Sequence, residues 1–158
     1  ALDCRAAFKR FRGRVTDKPF GEPARRMMHV SGQGRVWVRR DDRHFLALEI
    51  GEDPAFFREE LVYAFEETLL FENGRVPSKL GGDLQLVHLR VLVTSKRKPR
   101  SVEVVKDEPV RVPVDSLVGW HGNVAPRIVA LAEDGGEGVA VATVELTGEG
   151  RVILDALD

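Results

Sequence analysis

The sequence holds a single cysteine, Cys4, among 158 residues. An internal disulfide is thereby excluded, and so is any cysteine-built zinc site within the chain. No apolar run approaches the roughly 20 residues that a bilayer-crossing helix needs. The opening residues are polar and basic rather than the apolar stretch of a secretory signal. With the lone thiol, this places the chain in a reducing, cytoplasmic setting. It begins at Ala1 and reads as a module of a larger bacterial protein.

Catalytic patterns are missing too. The histidines are His29, His44, His88 and His121, and none stands within four residues of another. A metal site in a β roll needs several imidazoles and a carboxylate converging from neighbouring strands. No strand or helix of this chain can present such a pair, so neither a metal nor another cofactor is expected. There is no Gly-x-Ser-x-Gly elbow, and Cys4 has no histidine partner by sequence. The pairs Asp41-Asp42, Glu59-Glu60, Glu66-Glu67 and Glu133-Asp134 would point to opposite faces of a strand and could not share a proton. Gly32-Gln33-Gly34 lacks the third glycine of a dinucleotide fingerprint and reads as a turn or bulge. The chain is therefore expected not to be an enzyme.

What is present is a patterned charge. Residues 1–43 carry 12 Lys/Arg against 5 Asp/Glu, and residues 44–86 carry 3 against 9. Residues 87–114 carry 7 against 3, and residues 115–158 carry 2 against 8. Basic and acidic blocks thus alternate, and the acidic ones argue against a dedicated nucleic-acid binder. The sharpest feature is Lys96-Arg97-Lys98-Pro99-Arg100, a loop whose Lys96, Arg97, Lys98 and Arg100 form the candidate contact for an anionic ligand. No aromatics interleave with it for stacking on bases.

The periodicity is that of strands. Val36 and Val38 alternate with Trp37 and Arg39, and Asp41-Asp42 separates them from a second alternating run through Phe45–Ile50, a hairpin pattern. Further strands are expected at 84–93, 101–105, 110–114, 127–131, 139–146 and 151–154, with turns at Asn73-Gly74, Gly81-Gly82, Gly122-Asn123, Asp134-Gly135-Gly136 and Gly148. Trp37, Phe45, Tyr63, Phe65 and Trp120 are expected to fill the core. Local propensity favours a helix over Pro54–Leu70, with Asp53 as N-cap. An internal repeat argues otherwise. Shifted by 55, Arg35-Val36-Trp37-Val38 falls on Arg90-Val91-Leu92-Val93, and Leu61–Phe65 falls on Ser116–Trp120. The second copy contains Val110-Arg111-Val112-Pro113-Val114, a poor helix. The first copy should then be largely strand, with a turn near Glu59-Glu60. Gly148–Leu154 echoes Gly32–Val38 once more.

These patterns predict an all-β chain, a duplicated sandwich-like or barrel-like roll with two related halves. Residues 1–30 form a basic lead-in that packs on or flanks the domain. Residues 31–158 form the duplicated domain, with halves of about 31–86 and 87–158.

The strand after Gly32-x-Gly34, the Leu61–Phe65 segment leading into Phe71–Arg75, and Val114–Trp120 resemble the altered-inheritance-of-mitochondria family (number twenty-four) over roughly Val30 to Asp155. The resemblance implies a duplicated double-stranded β-helix similar to the tryptophan RNA-binding attenuation protein, with no established enzymatic activity. Where that family tends to place a Gly-x-Gly turn before the second copy, Val87-His88-Leu89-Arg90 runs straight into Val91. The function expected is a non-enzymatic protein-interaction or scaffold domain, with a protein partner or self-association. The alternative is a ligand-binding β roll contacting RNA or an anionic membrane surface through the basic loop.

Overall fold

The structure is a computed structural model, and it describes residues 1–39, 43–48, 53–66, 69–79, 83–88, 92–95, 99–131 and 141–155. Among these the chain is built from antiparallel strands and two short 3-10 turns. In chain order the strands are β1 (Leu2–Ala6), β2 (Phe8–Phe11), β3 (Arg14–Pro19), β4 (Met28–Gly32), β5 (His44–Ala47), β6 (Ala55–Arg58), β7 (Val62–Ala64), β8 (Glu72–Val76), β9 (Leu84–His88), β10 (Leu92–Ser95), β11 (Pro99–Val104), β12 (Val110–Pro113), β13 (Leu117–Leu131) and β14 (Val141–Asp155). The largest sheet runs β11-β14-β13-β6-β9-β8, with β12 also paired to β14. A second sheet runs β5-β10-β7, and two ribbons, β1-β4 and β2-β3, stand apart from both.

The segment with helical propensity is strand, as the repeat argued. Ala55–Arg58 is extended, Glu59–Leu61 makes one 3-10 turn and Val62–Ala64 is extended again. Burial decides the outcome, because the strand turns Ala55 and Phe57 inward while Phe56 stacks on Trp120 at 5.3 Å. The same strand, 3-10 turn, strand element recurs 55 residues later as Val110–Pro113, Val114–Ser116 and the start of β13. The pairings recur with it. In the first stretch β10 pairs with β5 and β7, and β9 pairs with β6 and β8. In the second, the far end of β14 pairs with β11 and the start of β13, and its near end pairs with β12 and the end of β13.

Other expectations need correction. Residues 33–39 belong to no strand, and Trp37 is 88% exposed rather than a core residue. Alternation alone makes no strand without a neighbour to pair with, and none of the described residues supplies one. Asn73-Gly74 lies inside β8, where Asn73 is buried, so it is not a turn. Gly122-Asn123 and Gly148 lie inside β13 and β14, which run 15 residues each without interruption. Gly122 pairs across the ladder with Gly150, and Gly148 with Val124. At Gly148, with φ of +118°, a Cβ would meet the Asn123 carbonyl oxygen at 2.1 Å. The ladder passes through these glycines without a shift of register, so they do not end the strands. The expected turns at Gly81-Gly82 and Asp134–Gly136, and Asp41-Asp42, lie outside the described residues.

The lead-in is part of the packed structure. Phe20 is fully buried among Ala55, Phe57, Val62 and Val118. Lys9 Nζ lies 2.9–3.0 Å from both carboxylate oxygens of Glu59, whose side chain is almost completely buried. Asn73 Nδ2 and the Gly21 backbone N–H also donate to that carboxylate. The Arg10 N–H donates to Asn73 Oδ1, the Gly13 N–H donates to Glu72, and the Arg10 guanidinium sits 5.6 Å over the Phe71 ring. The expected boundary between residues 30 and 31 falls inside β4.

Candidate interaction surface

The basic loop marked by the sequence can be placed only at its end. Arg100 is exposed on β11, opposite Leu154 of β14. Lys96, Arg97 and Lys98 lie outside the described residues. Among the described residues, no group of three or more His, Cys, Asp or Glu side chains is arranged to hold a metal, and no helix is long and apolar enough to cross a membrane.

Two charged clusters lie on the large sheet. Arg111, Glu145 and Arg127 are opposite one another on β12, β14 and β13. Arg127 and Arg111 donate to Glu145 at 2.6 and 2.7 Å. Those hydrogen bonds, from Arg127 first and Arg111 second, hold the Glu145 carboxyl below its ordinary pKa. Its stabilising contribution is therefore complete above the ordinary glutamate range, near pH 4.3, and is lost as pH falls through the lowered value. Glu145→Gln should melt at a lower temperature than the parent at neutral pH, and the gap should close in acid. A gap independent of pH would mean that the carboxylate charge is not what stabilises. The second cluster lines an open depression of about 520 Å³ that includes Asp53, Glu103, Lys106, His121, Glu149 and Arg151. His121 sits half-buried in β13 with Nε2 3.9 Å from Asp53. In that depression three carboxylates stand against Lys106, Arg151 and His121.

The β1–β4 ribbon, like β2–β3, joins neither of the larger sheets among the described residues. Its two strands hydrogen-bond only to each other among the described residues. The register sets Leu2 opposite Gly32, Cys4 opposite Val30 and Ala6 opposite Met28, so these side chains share one face. Asp3, Arg5, His29 and Ser31 share the other. In a half-buried ribbon the apolar face should turn inward. Here Leu2, Cys4, Ala6, Met28 and Val30 are all exposed, while His29 and Ser31 on the polar face are half-buried. On the polar face Asp3 and Arg5 are exposed too. The base of the ribbon is fixed by backbone hydrogen bonds among Ala7, Phe20 and Met27.

The segment that follows β4 starts beside this face. Gly34 passes against the apolar face, close enough that a Cβ there would lie 3.1 Å from Leu2 Cγ. Val36, Trp37 and Val38 follow, all exposed, between Arg35 and Arg39, which are exposed as well. The Tyr63 hydroxyl donates to the Arg39 carbonyl at 3.3 Å and ties the segment to β7. Charge dominates residues 1–30 in the sequence and masks the ribbon face, for which the signal is the apolar alternation of Met28-His29-Val30 ahead of Gly32.

No protein-family profile matches the chain, and no curated protein matches it. The fold is similar to the crystal structure of a protein from Streptococcus pyogenes, with a TM-score of 0.53 and 16% sequence identity. The match covers 73% of this chain and 55% of that one, so the chain spans about half the length of its structural relative. At that identity the likeness concerns the fold alone: an antiparallel all-β architecture.

Proposed function

We propose that this chain is a non-enzymatic interaction domain that docks through the apolar face of the β1–β4 ribbon, with the β sheets behind it as scaffold. The observation that carries the reading is the open apolar face of the ribbon. Leu2, Cys4, Ala6, Met28 and Val30 face solvent together, and the exposed Val36-Trp37-Val38 segment follows directly. Single exposed apolar residues are ordinary, but a contiguous group on one ordered face marks a contact surface. In this reading the chain is a member of the altered-inheritance-of-mitochondria family (number twenty-four) and its β roll is a duplicated one. The pairing plan shared by residues 44–95 and 99–155 supports the duplication.

Cys4 offers a direct test, because the only thiol of the chain is exposed on the face in question. A photo-crosslinker attached to Cys4 and irradiated in host extract should form a small set of adducts. The same reagent on an Arg5→Cys, Cys4→Ser variant, which displays it on the opposite face, should not form them. Identical adduct patterns from both faces would sink the reading.

A further inference from the structure

We infer that Arg111 and Arg127, drawn together over Glu145, form a receptor for a carboxylate group. The site is built on the large sheet and is independent of the docking reading. β14 stands between β12 and β13 and sets Glu145 opposite both arginines. Arg127 Nη2 donates to Glu145 Oε1 at 2.6 Å, and Arg111 Nε donates to Oε2 at 2.7 Å. One carboxylate thus holds two guanidinium groups close together, although β14 separates the strands that carry them.

Donors and charge are both in surplus there. Two guanidinium groups carry about ten N–H donors, against about four acceptor positions on one carboxylate. Neither arginine has a partner other than Glu145 among the described residues. The Glu145 side chain is 9% exposed, whereas those of Arg111 and Arg127 are 54% and 71% exposed, so the remaining donors are left to solvent. Two positive charges against one negative leave a single positive charge, which one carboxylate neutralises. A phosphate monoester, at about −1.5 to −2, would bring excess negative charge against Glu145. The planar fork of a guanidinium also matches a carboxylate through paired hydrogen bonds. The neighbouring positions suit an organic acid. Ala125 and Val129 alternate with Arg127 on one face of β13, and Pro113 shares a face of β12 with Arg111.

The experiment follows the arginine Nε–Hε and backbone amide resonances of the full chain by NMR at neutral pH, with ionic strength held constant by chloride. The probes are acetate, inorganic phosphate, an N-acetylated tetrapeptide with uncharged side chains and a free C-terminus, and the same peptide amidated. Acetate should shift the Arg111 and Arg127 signals together along one saturating curve. Phosphate should bind more weakly, and the amidated peptide should not bind. A free-acid peptide that binds more tightly than acetate assigns the carboxylate to a chain terminus; otherwise the ligand is a small acid. Arg111→Lys with Arg127→Lys, followed through the Glu145 amide, should weaken acetate binding about tenfold, because lysine keeps the charge but loses the fork. The melting temperature of that variant should stay close to the parent's, since each lysine still stands as a cation beside Glu145.

Shifts that grow linearly without saturating, or that chloride reproduces, would overturn the inference and leave a cross-strand ion-pair ladder with no ligand. Tighter binding of phosphate than of acetate would overturn the choice of a carboxylate. Equal binding of the amidated peptide would do so as well. Full affinity in the double lysine variant would show that positive charge alone attracts the anion and that no receptor is built. None of these results bears on the ribbon face, which the Cys4 crosslinks test separately.

Discussion

Trp120→Ala is expected to lower the free energy of unfolding by about 3–5 kcal/mol, the range for deleting a large aromatic from a packed core. The side chain is 1% exposed, stacks on Phe56 at 5.3 Å with an interplanar angle of 19°, and lies opposite Val152 in the ladder. Its removal opens a cavity at a point where β6, β13 and β14 meet, and sheets cannot collapse into such a void without breaking register. The loss is a large share of the 5–15 kcal/mol typical of a domain, so urea denaturation followed by circular dichroism should show a strongly lowered midpoint. Trp120→Phe should cost much less. It keeps the stacking, and it removes an indole N–H that is buried without an acceptor among the described residues. Equal losses for the two variants would show that ring stacking with Phe56 is not what Trp120 contributes.

Glu59→Ala should cost about 3 kcal/mol, the low end for removing one member of a buried ion pair. The low end applies because Lys9 retains some access to water, with 18% of its side chain exposed against 8% for Glu59. The alanine leaves Lys9, Asn73 Nδ2 and the Gly21 N–H without their shared acceptor. The damage should concentrate where the lead-in meets the domain, with faster amide exchange in β2 and β3. Lys9→Met combined with Glu59→Leu should recover much of the stability, since an apolar pair needs no desolvation. A double variant as unstable as Glu59→Ala would show that the ion pair is not the source of the loss.

How far the sequence could be read depended on whether the deciding contact was periodic. The all-β class was legible because alternation and frequent glycine are local signals, and the 55-residue spacing rightly favoured strand over helix across Ala55–Ala64. Propensity alone would have failed there: Glu59, Glu60 and Leu61 are good helix formers, yet they form only a single 3-10 turn. The fate of Gly122, Gly148 and Gly150 was not legible. A glycine that ends a strand and one that bends it look the same until the partner strand is known, and here the partner brings another glycine to the same level. Trp37 was misread because alternation reports only which side chains share a side. It does not report whether anything covers them. The candidate surface was hidden for the same reason, since only the pairing of Leu2–Ala6 with Met28–Gly32 brings their apolar side chains onto one face.

The bulge between Leu117 and Gly119 has one further consequence. Three positions apart, Leu117 and Trp120 reach the same core, while Val118 between them enters the other, where Phe20 and Phe57 lie. On β14 the adjacent residues Val152 and Ile153 divide in the same way. The paired strands are thus a party wall, with one hydrophobic compartment on each side. Neither compartment can lose its lining while the other keeps its own, because a single ladder of backbone hydrogen bonds holds both. Lead-in and sheets are thermodynamically one unit, and heat should dissolve them in one cooperative step rather than in two.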